Sequence, residues 1–193
     1  MTIRLHPSQA EIKSVLTYNP LTGEWIWLKR TPGMFITTIR KSRGEISPEM
    51  NCQIWNGRWA GKLAGSIDDN GYLVIRFGDH QYKAHILAVI YMTGVYPKMV
   101  DHADLNRSNN KWDNLRPATR SQNNSNVGPR KTNKLGVKGV CRKGSKFQAC
   151  LSVDGKCHYL GKFSTLDEAT EAVANAAALL HGDFAHSSTR LVP

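Results

Sequence analysis

Residues 100–126, VDHADLNRSNNKWDNLRPATRSQNNSN, hold an Asp-His pair, two Asn-rich clusters and the arginines Arg107, Arg116 and Arg120, with almost nothing apolar. A segment this polar cannot build a core of its own, because polar groups buried without partners cost free energy. Its flanks must supply the apolar backing. An acid beside a potential general base, at this density of polar side chains, suits a metal-dependent site acting on phosphate.

The flanks carry the patterns that could give that backing. Residues 9–16 read as a short helix with Ser8 as N-cap. Tyr18-Asn19-Pro20-Leu21-Thr22-Gly23 reads as a hairpin turn into an aromatic strand over 24–28. Residues 29–58 mix Lys29, Arg30, Arg40, Lys41 and Arg43 with Gly33, Gly44 and Pro48, without periodicity. They read as an inserted basic loop, either a phosphate-contacting element or an ordinary solvated loop. Residues 71–77 alternate as a strand, 78–80 turn, 81–84 begin the return strand, and 85–93 form an apolar helix that stops at Gly94.

Charge narrows the partner. Lys and Arg number 26 against 15 Asp and Glu, a formal net charge of +11. Such an excess suits an anionic polymer, and nucleic acid is favoured because no segment reads as a basic amphipathic membrane helix. The excess is concentrated: between Asp113 and Asp154 there is no acid, while Arg116, Arg120, Arg130, Lys131, Lys134, Lys138, Arg142, Lys143 and Lys146 follow one another. One sign carried through a linker and onto two strands reads as a phosphate-tracking surface, with a solvated face as the plainer alternative. Cys52, Cys141, Cys150 and Cys157 form no C-x-x-C pair, so zinc-finger spacing is absent and buried thiols in a reducing cytoplasm are expected. The Met1 end shows no apolar targeting region, and no apolar run is long enough to span a membrane.

Within the polar stretch, Asp101 offers a hard carboxylate suited to Mg²⁺, and His102, with a pKa near working pH, can act as general base. Asn114 and Asn123 are the natural supports, since a side-chain amide can orient an imidazole or ligate a metal through its oxygen. Trp25, Trp27 and Trp59 are expected in the core; His6, His80 and His186 at the surface; and His181 at a helix C-terminus, as a cation or in simple packing.

Asp101-His102, Asn114-Leu115-Arg116 and Gln122-Asn123, following Tyr82-Lys83-Ala84-His85, resemble an HNH endonuclease of the zinc-free, phage- and intron-associated homing branch. The resemblance covers roughly residues 15–126, leaving 29–58 unmatched. It implies a β-β-α-metal core: a strand over 99–102, a long loop, a second strand over 115–118 and a helix over 119–126. It also implies roles. His102 activates water, Asp101 and Asn123 hold one Mg²⁺ (or Mn²⁺), and Asn114 fixes His102 through a loop hydrogen bond. No zinc is implied. The family has His-Arg where this chain has His85-Ile86, and His85 is assigned no chemistry.

Residues 135–186 resemble the plant ethylene-response-factor type DNA-binding domain, on Gly139-Val140-x-Arg142, Phe147-x-Ala149, Tyr159-Leu160-Gly161-x-Phe163-x-Thr165-x-x-Glu168-Ala169 and Leu179-x-His181-Gly182-x-Phe184-Ala185. The likeness implies a sheet that enters the DNA major groove, with Arg142, Lys146, Gln148 and His158 as contact candidates. The family's tryptophan is replaced by Phe147, so no base preference carries over.

The expected architecture is therefore α+β. An N-terminal hairpin-containing region leads into the β-β-α-metal core (1–126). A linker (127–134) follows, then a three-stranded antiparallel sheet packed on one α-helix (135–187). The expected function is a divalent-metal-dependent endonuclease on double-stranded DNA, acting in the cytoplasm as a monomer or weak dimer. One metal site per chain implies nicking. The alternative is a sequence-specific DNA-binding regulator with an inert HNH scaffold.

Overall fold

Ser8 starts the first element through a reciprocal cap. Its hydroxyl accepts from Glu11 N–H at 3.2 Å while the Glu11 carboxylate accepts from Ser8 N–H at 2.7 Å. Helix α1 (Gln9–Val15) follows, and the chain turns extended at Leu16. The coordinates are a computed structural model that describes residues 6–40 and 44–185. Packing divides the chain into two compact units, Met1–Arg116 and Pro117–Pro193.

In the first unit, β1 (Leu16–Tyr18) pairs antiparallel with β2 (Trp25–Trp27), setting Leu16 against Trp27 and Tyr18 against Trp25. Alternation turns all four of these side chains to the buried face. The turn between them closes on Gly23, whose φ of +76° only glycine adopts without strain.

Residues 29–58 depart from the expected loop. They contain β3 (Thr38–Arg40), β4 (Gly44–Ile46) and the 12-residue helix α2 (Pro48–Trp59). The helix carries no apolar stripe, so periodicity could not reveal it. Its start was legible: Ser47 caps Met50 N–H, and Pro48 and Glu49 occupy the first turn. Trp55 and Cys52 draw α2 onto the body, and the Arg30 guanidinium lies 3.9 Å from the Trp55 ring centre. Trp59, expected in the core, is 39 % exposed.

Next come β5 (Ser66–Ile67), β6 (Leu73–Phe77) and β7 (His80–Lys83), one antiparallel sheet in that order. Helix α3 (Ala84–Thr93) ends at Gly94, where φ reaches +74°. Its Ala84, Leu87, Ala88 and Ile90 are buried against Ile12, Leu16, Trp25 and Ile75. Each such Leu or Ile contributes about 1.5–3 kcal/mol on burial. Two short strands finish the unit: β8 (Val100–His102) pairs with β9 (Leu115–Pro117), and Val100 and Leu115 reach the same core.

In the second unit, Thr119 and Gln122 form a capping box for α4 (Arg120–Asn126). Strands β10 (Val140–Lys143), β11 (Lys146–Val153) and β12 (Lys156–Phe163) form an antiparallel meander, and α5 (Leu166–His181) covers one face. Ala169, Val173 and Ala177 meet Val140, Ala149 and Leu151 there. Gly139 permits this close approach, because a Cβ on it would stand 2.6 Å from the Cys150 carbonyl oxygen. The division falls before α4 rather than after it. Lys138 donates to the carbonyls of Asn124 (2.6 Å), Val127 (2.8 Å) and Ser125 (3.1 Å), tying the helix C-terminus to the sheet unit.

Among the described residues no helix is long and apolar enough to cross a membrane. His186 lies outside the described residues.

Candidate active site

The centre of the first unit's polar surface is β8. Asp101 and His102 are both about 95 % buried, although adjacent strand residues face opposite ways. Asp101 meets Arg116 on the paired strand: Nε and Nη2 donate to Oδ2 at 2.9 and 2.7 Å. Arg116, expected on phosphate, thus has its guanidinium on the Asp101 carboxylate.

His102 faces the loop that joins the two strands. Its Nε2 stands 3.5 Å from Asn110 Oδ1, and Asn110 is itself 2 % exposed. Asn110 Nδ2 donates to the Ser108 carbonyl at 3.0 Å, which turns Oδ1 toward the ring. An amide oxygen can only accept, so this contact suits the tautomer with its proton on Nε2, in which Nδ1 is the basic nitrogen. Burial pushes the His102 pKa down, opposed by Asn110, Asp104 and Asp101 and assisted by Arg107. The ring is therefore held neutral near neutral pH, the form a general base requires.

Asn114 builds the loop. Its Nδ2 donates to Asp104 Oδ1 (2.9 Å) and the Asn109 carbonyl (2.8 Å), and its Oδ1 accepts from Asp104 N–H (3.0 Å). Burial opposes the charge on Asp104, but hydrogen bonds from Asn109, Asn106 and Asn114 outweigh it and hold its carboxyl below the ordinary value. The N-terminal hairpin supports the same loop from behind. Tyr18 Oη donates to the Asn110 carbonyl at 2.6 Å, Trp112 N–H donates to the Pro20 carbonyl at 2.9 Å, and Gly23 lies directly against the Asn110–Lys111 backbone. Burial, with Asp113 nearby, raises the Tyr18 pKa to about 12, so it remains a donor.

Two residues that sequence reading left without a role line this site. Asn110 sat unremarked among other asparagines; only the fold picks out which one meets the imidazole. His85, first turn of α3, packs edge-on against His102 with ring centres 4.9 Å apart, and its Nδ1 is buried with no hydrogen-bond partner among the described residues. Burial first, then His102 and Lys83, push its pKa down to about 3, so it is neutral.

The remaining expected residues belong to the second unit. Asn123 lies half-buried on α4. Arg120, Arg130, Lys131, Lys134, Arg142, Lys143 and Lys146 are exposed, whereas the Lys138 ammonium is engaged by the α4 carbonyls. Strand register sorts the sheet candidates. Cys141, Gln148 and Lys162 form one row, and Lys143 opposes Lys146, on the face away from α5. Arg142 opposes Phe147 and His158 opposes Leu151, so both share the helix-side face and project at its rim. The open face also presents Tyr159, 61 % exposed, and Lys162; neither was singled out from sequence. The irregularity at Ala149/Cys150 shifts the pairing there and hides this parity from a simple count. The cysteines are not uniformly buried. Cys52 is buried, Cys150 is intermediate, and Cys141 and Cys157 are exposed on the sheet.

A metal would find a sparse donor set. Among the described residues no three His, Cys, Asp or Glu side chains come together in a metal-holding group. Of the two residues expected to hold it, Asp101 alone offers a hard carboxylate oxygen of the kind Mg²⁺ takes beside its waters and substrate phosphate.

Residues 82–125 match the family model of HNH endonucleases. No curated protein and no solved structure matches the chain. The match supports a nuclease acting on DNA, and it spans Lys83, His85, Asp101, His102, Asn110, Asn114, Arg116 and Asn123.

Proposed function

We propose that the protein is a divalent-metal-dependent DNA endonuclease of the HNH homing type that nicks one strand per encounter. The observation that carries this reading is the buried His102, held neutral with Nε2 directed at Asn110, inside the stretch matched to HNH endonucleases. Nδ1 of His102 takes a proton from the attacking water. Asp101 and Asn123 are the metal-holding residues by motif, and a bound Mg²⁺ or Mn²⁺ supplies charge stabilisation at the scissile phosphate. Asn114 acts at one remove, by fixing the loop that carries Asn110.

The second unit serves target binding in this reading. Its sheet face away from α5 offers Lys143, Lys146, Gln148 and Lys162 with Tyr159 among them, a basic surface with one aromatic that suits phosphates and base edges. The test is conversion of supercoiled plasmid to the open circle with Mg²⁺. His102→Ala should abolish cutting while leaving DNA binding intact. A His102→Ala variant that nicks at the wild-type rate ends the assignment of the base. Binding without cutting in Mg²⁺ and Mn²⁺ alike favours the inert-scaffold regulator. Linear product formed in one concerted step by stoichiometric monomer rules out nicking as the elementary act.

A further inference from the structure

Two cations converge on one ring beside His102. Tyr72, just before β6, lies with its ring centre 5.3 Å from that of His85 and 6.1 Å from that of His102. The Lys83 ammonium stands 3.8 Å from the Tyr72 ring centre, and the Arg107 guanidinium stands 5.0 Å from it. Lys83 is the last residue of β7 and the N-cap of α3; Arg107 comes from the loop between β8 and β9, 24 positions later. Arg107 is fixed further by Nη1, which donates to the Asn70 carbonyl at 2.9 Å. Both side chains are exposed, and among the described residues neither forms an ion pair with a carboxylate, in contrast to Arg116 on Asp101.

Exposed lysines and arginines ordinarily sample many rotamers, and ordering one costs side-chain entropy. Here the cation–π contacts with the Tyr72 ring bias both heads toward one place before any ligand arrives. Two ordered positive charges on one ring, open to solvent beside a buried neutral imidazole, form a site for an anion.

We infer that Lys83 and Arg107, seated on Tyr72, form a two-cation clamp for a backbone phosphate next to the one attacked by the water that His102 activates. The inference rests on the nuclease reading and adds the residues that seat the strand. The division of labour is chemical: Arg116 neutralises a protein carboxylate, whereas Lys83 and Arg107 are directed at the substrate. Both are positioning residues, acting on the phosphodiester chain and not on the transferred proton.

The experiment measures binding of a short fluorescein-labelled duplex by anisotropy, in EDTA, across a salt series. Every phosphate that a variant no longer neutralises flattens the slope of log K against log salt by about 1. Lys83→Met and Arg107→Gln are each expected to flatten it by that amount, and the double variant by about 2. Tyr72→Leu, which frees both heads, should weaken binding about 2–5-fold while Tyr72→Phe keeps the wild-type affinity. Lys13→Met removes a cation from a different ring, Tyr91, and should leave the slope unchanged. A wild-type slope in both charge variants overturns the clamp, as does equal flattening by Lys13→Met. No cutting occurs in EDTA, so the two readings separate. A wild type that never nicks, with flattened slopes in its charge variants, ends the nuclease and keeps the phosphate clamp; a nicking wild type whose variants leave the slope unmoved does the reverse.

Discussion

Replacing Gly23 by alanine tests whether the N-terminal hairpin sets the geometry of His102, 79 positions away. Two costs add. The φ of +76° is left-handed, which an L side chain adopts at about 1–2 kcal/mol. The new Cβ would also stand 2.5 Å from the Asn110 carbonyl carbon, 2.6 Å from Lys111 N and 2.9 Å from the Asn110 oxygen. All three are backbone atoms that cannot rotate aside, so the clash costs about 1–3 kcal/mol of overpacking. The total is about 2–5 kcal/mol. The movement that relieves it must carry Asn110 away from Gly23, and Asn110 both orients His102 and accepts from Tyr18. Urea unfolding followed by tryptophan fluorescence measures the first effect, since Trp25 and Trp27 are buried in this unit. Nicking of plasmid at urea-free, folded conditions measures the second, expected to fall about 100-fold if a reacting group shifts by about 1 Å. A variant with wild-type unfolding midpoint refutes the packing argument. A destabilised variant whose folded fraction nicks normally refutes the link from hairpin to imidazole.

Asn114→Asp keeps the shape of the side chain but replaces both Nδ2 donations with repulsion, one toward the Asp104 carboxylate. Loss of one charge-assisted and one neutral hydrogen bond predicts about 2–4 kcal/mol of destabilisation, read as a lower urea midpoint, with nicking lost. His85 predicts a pH dependence. Its folded pKa of about 3 lies below the 6.5 of a free imidazole, so between those values the unfolded chain binds more protons. Stability is fully present above about 6.5 and falls with pH by about 1.4 kcal/mol per unit; His85→Gln should remove that slope in urea midpoints measured from neutral to acid pH. Lys138→Met removes three donations to the α4 carbonyls, and should cost about 1–3 kcal/mol and speed amide exchange at α4, with no change in the salt dependence of DNA binding. A flattened salt slope in that variant would show that Lys138 contacts phosphate instead.

The elements that local rules specify were legible. The Ser8 cap, the turn at Gly23, the helix stop at Gly94 and the alternating strand of residues 73–77 each follow from chemistry within a few positions. Helix α2 escaped because its apolar residues mark no single face, although Ser47-Pro48-Glu49 signalled its start. The type of chemistry was legible too: an acid and an imidazole in a stretch too polar to be core have few structural uses.

Which partners those residues take was decided only by the tertiary structure. Sequence had Asn114 fix His102 through a loop hydrogen bond and left Asn110 unassigned; the fold sets Asn110 opposite the imidazole and Asn114 in the bonds that brace the loop. Sequence assigned Arg116 and Lys138 to phosphate; strand pairing sets one on Asp101, and the fold of the second unit sets the other on α4. Lys83 and Arg107, unremarkable among 26 basic residues, became a pair only because the Tyr72 ring lies under both. The reason is one of range. Caps, turns and alternation act between residues a few positions apart, so the order of the chain encodes them directly. Side-chain partners in a polar site are chosen by which backbone segments the core brings within hydrogen-bond distance. For His102 that choice was made by Tyr18, Gly23 and the buried aromatic hairpin of residues 16–27.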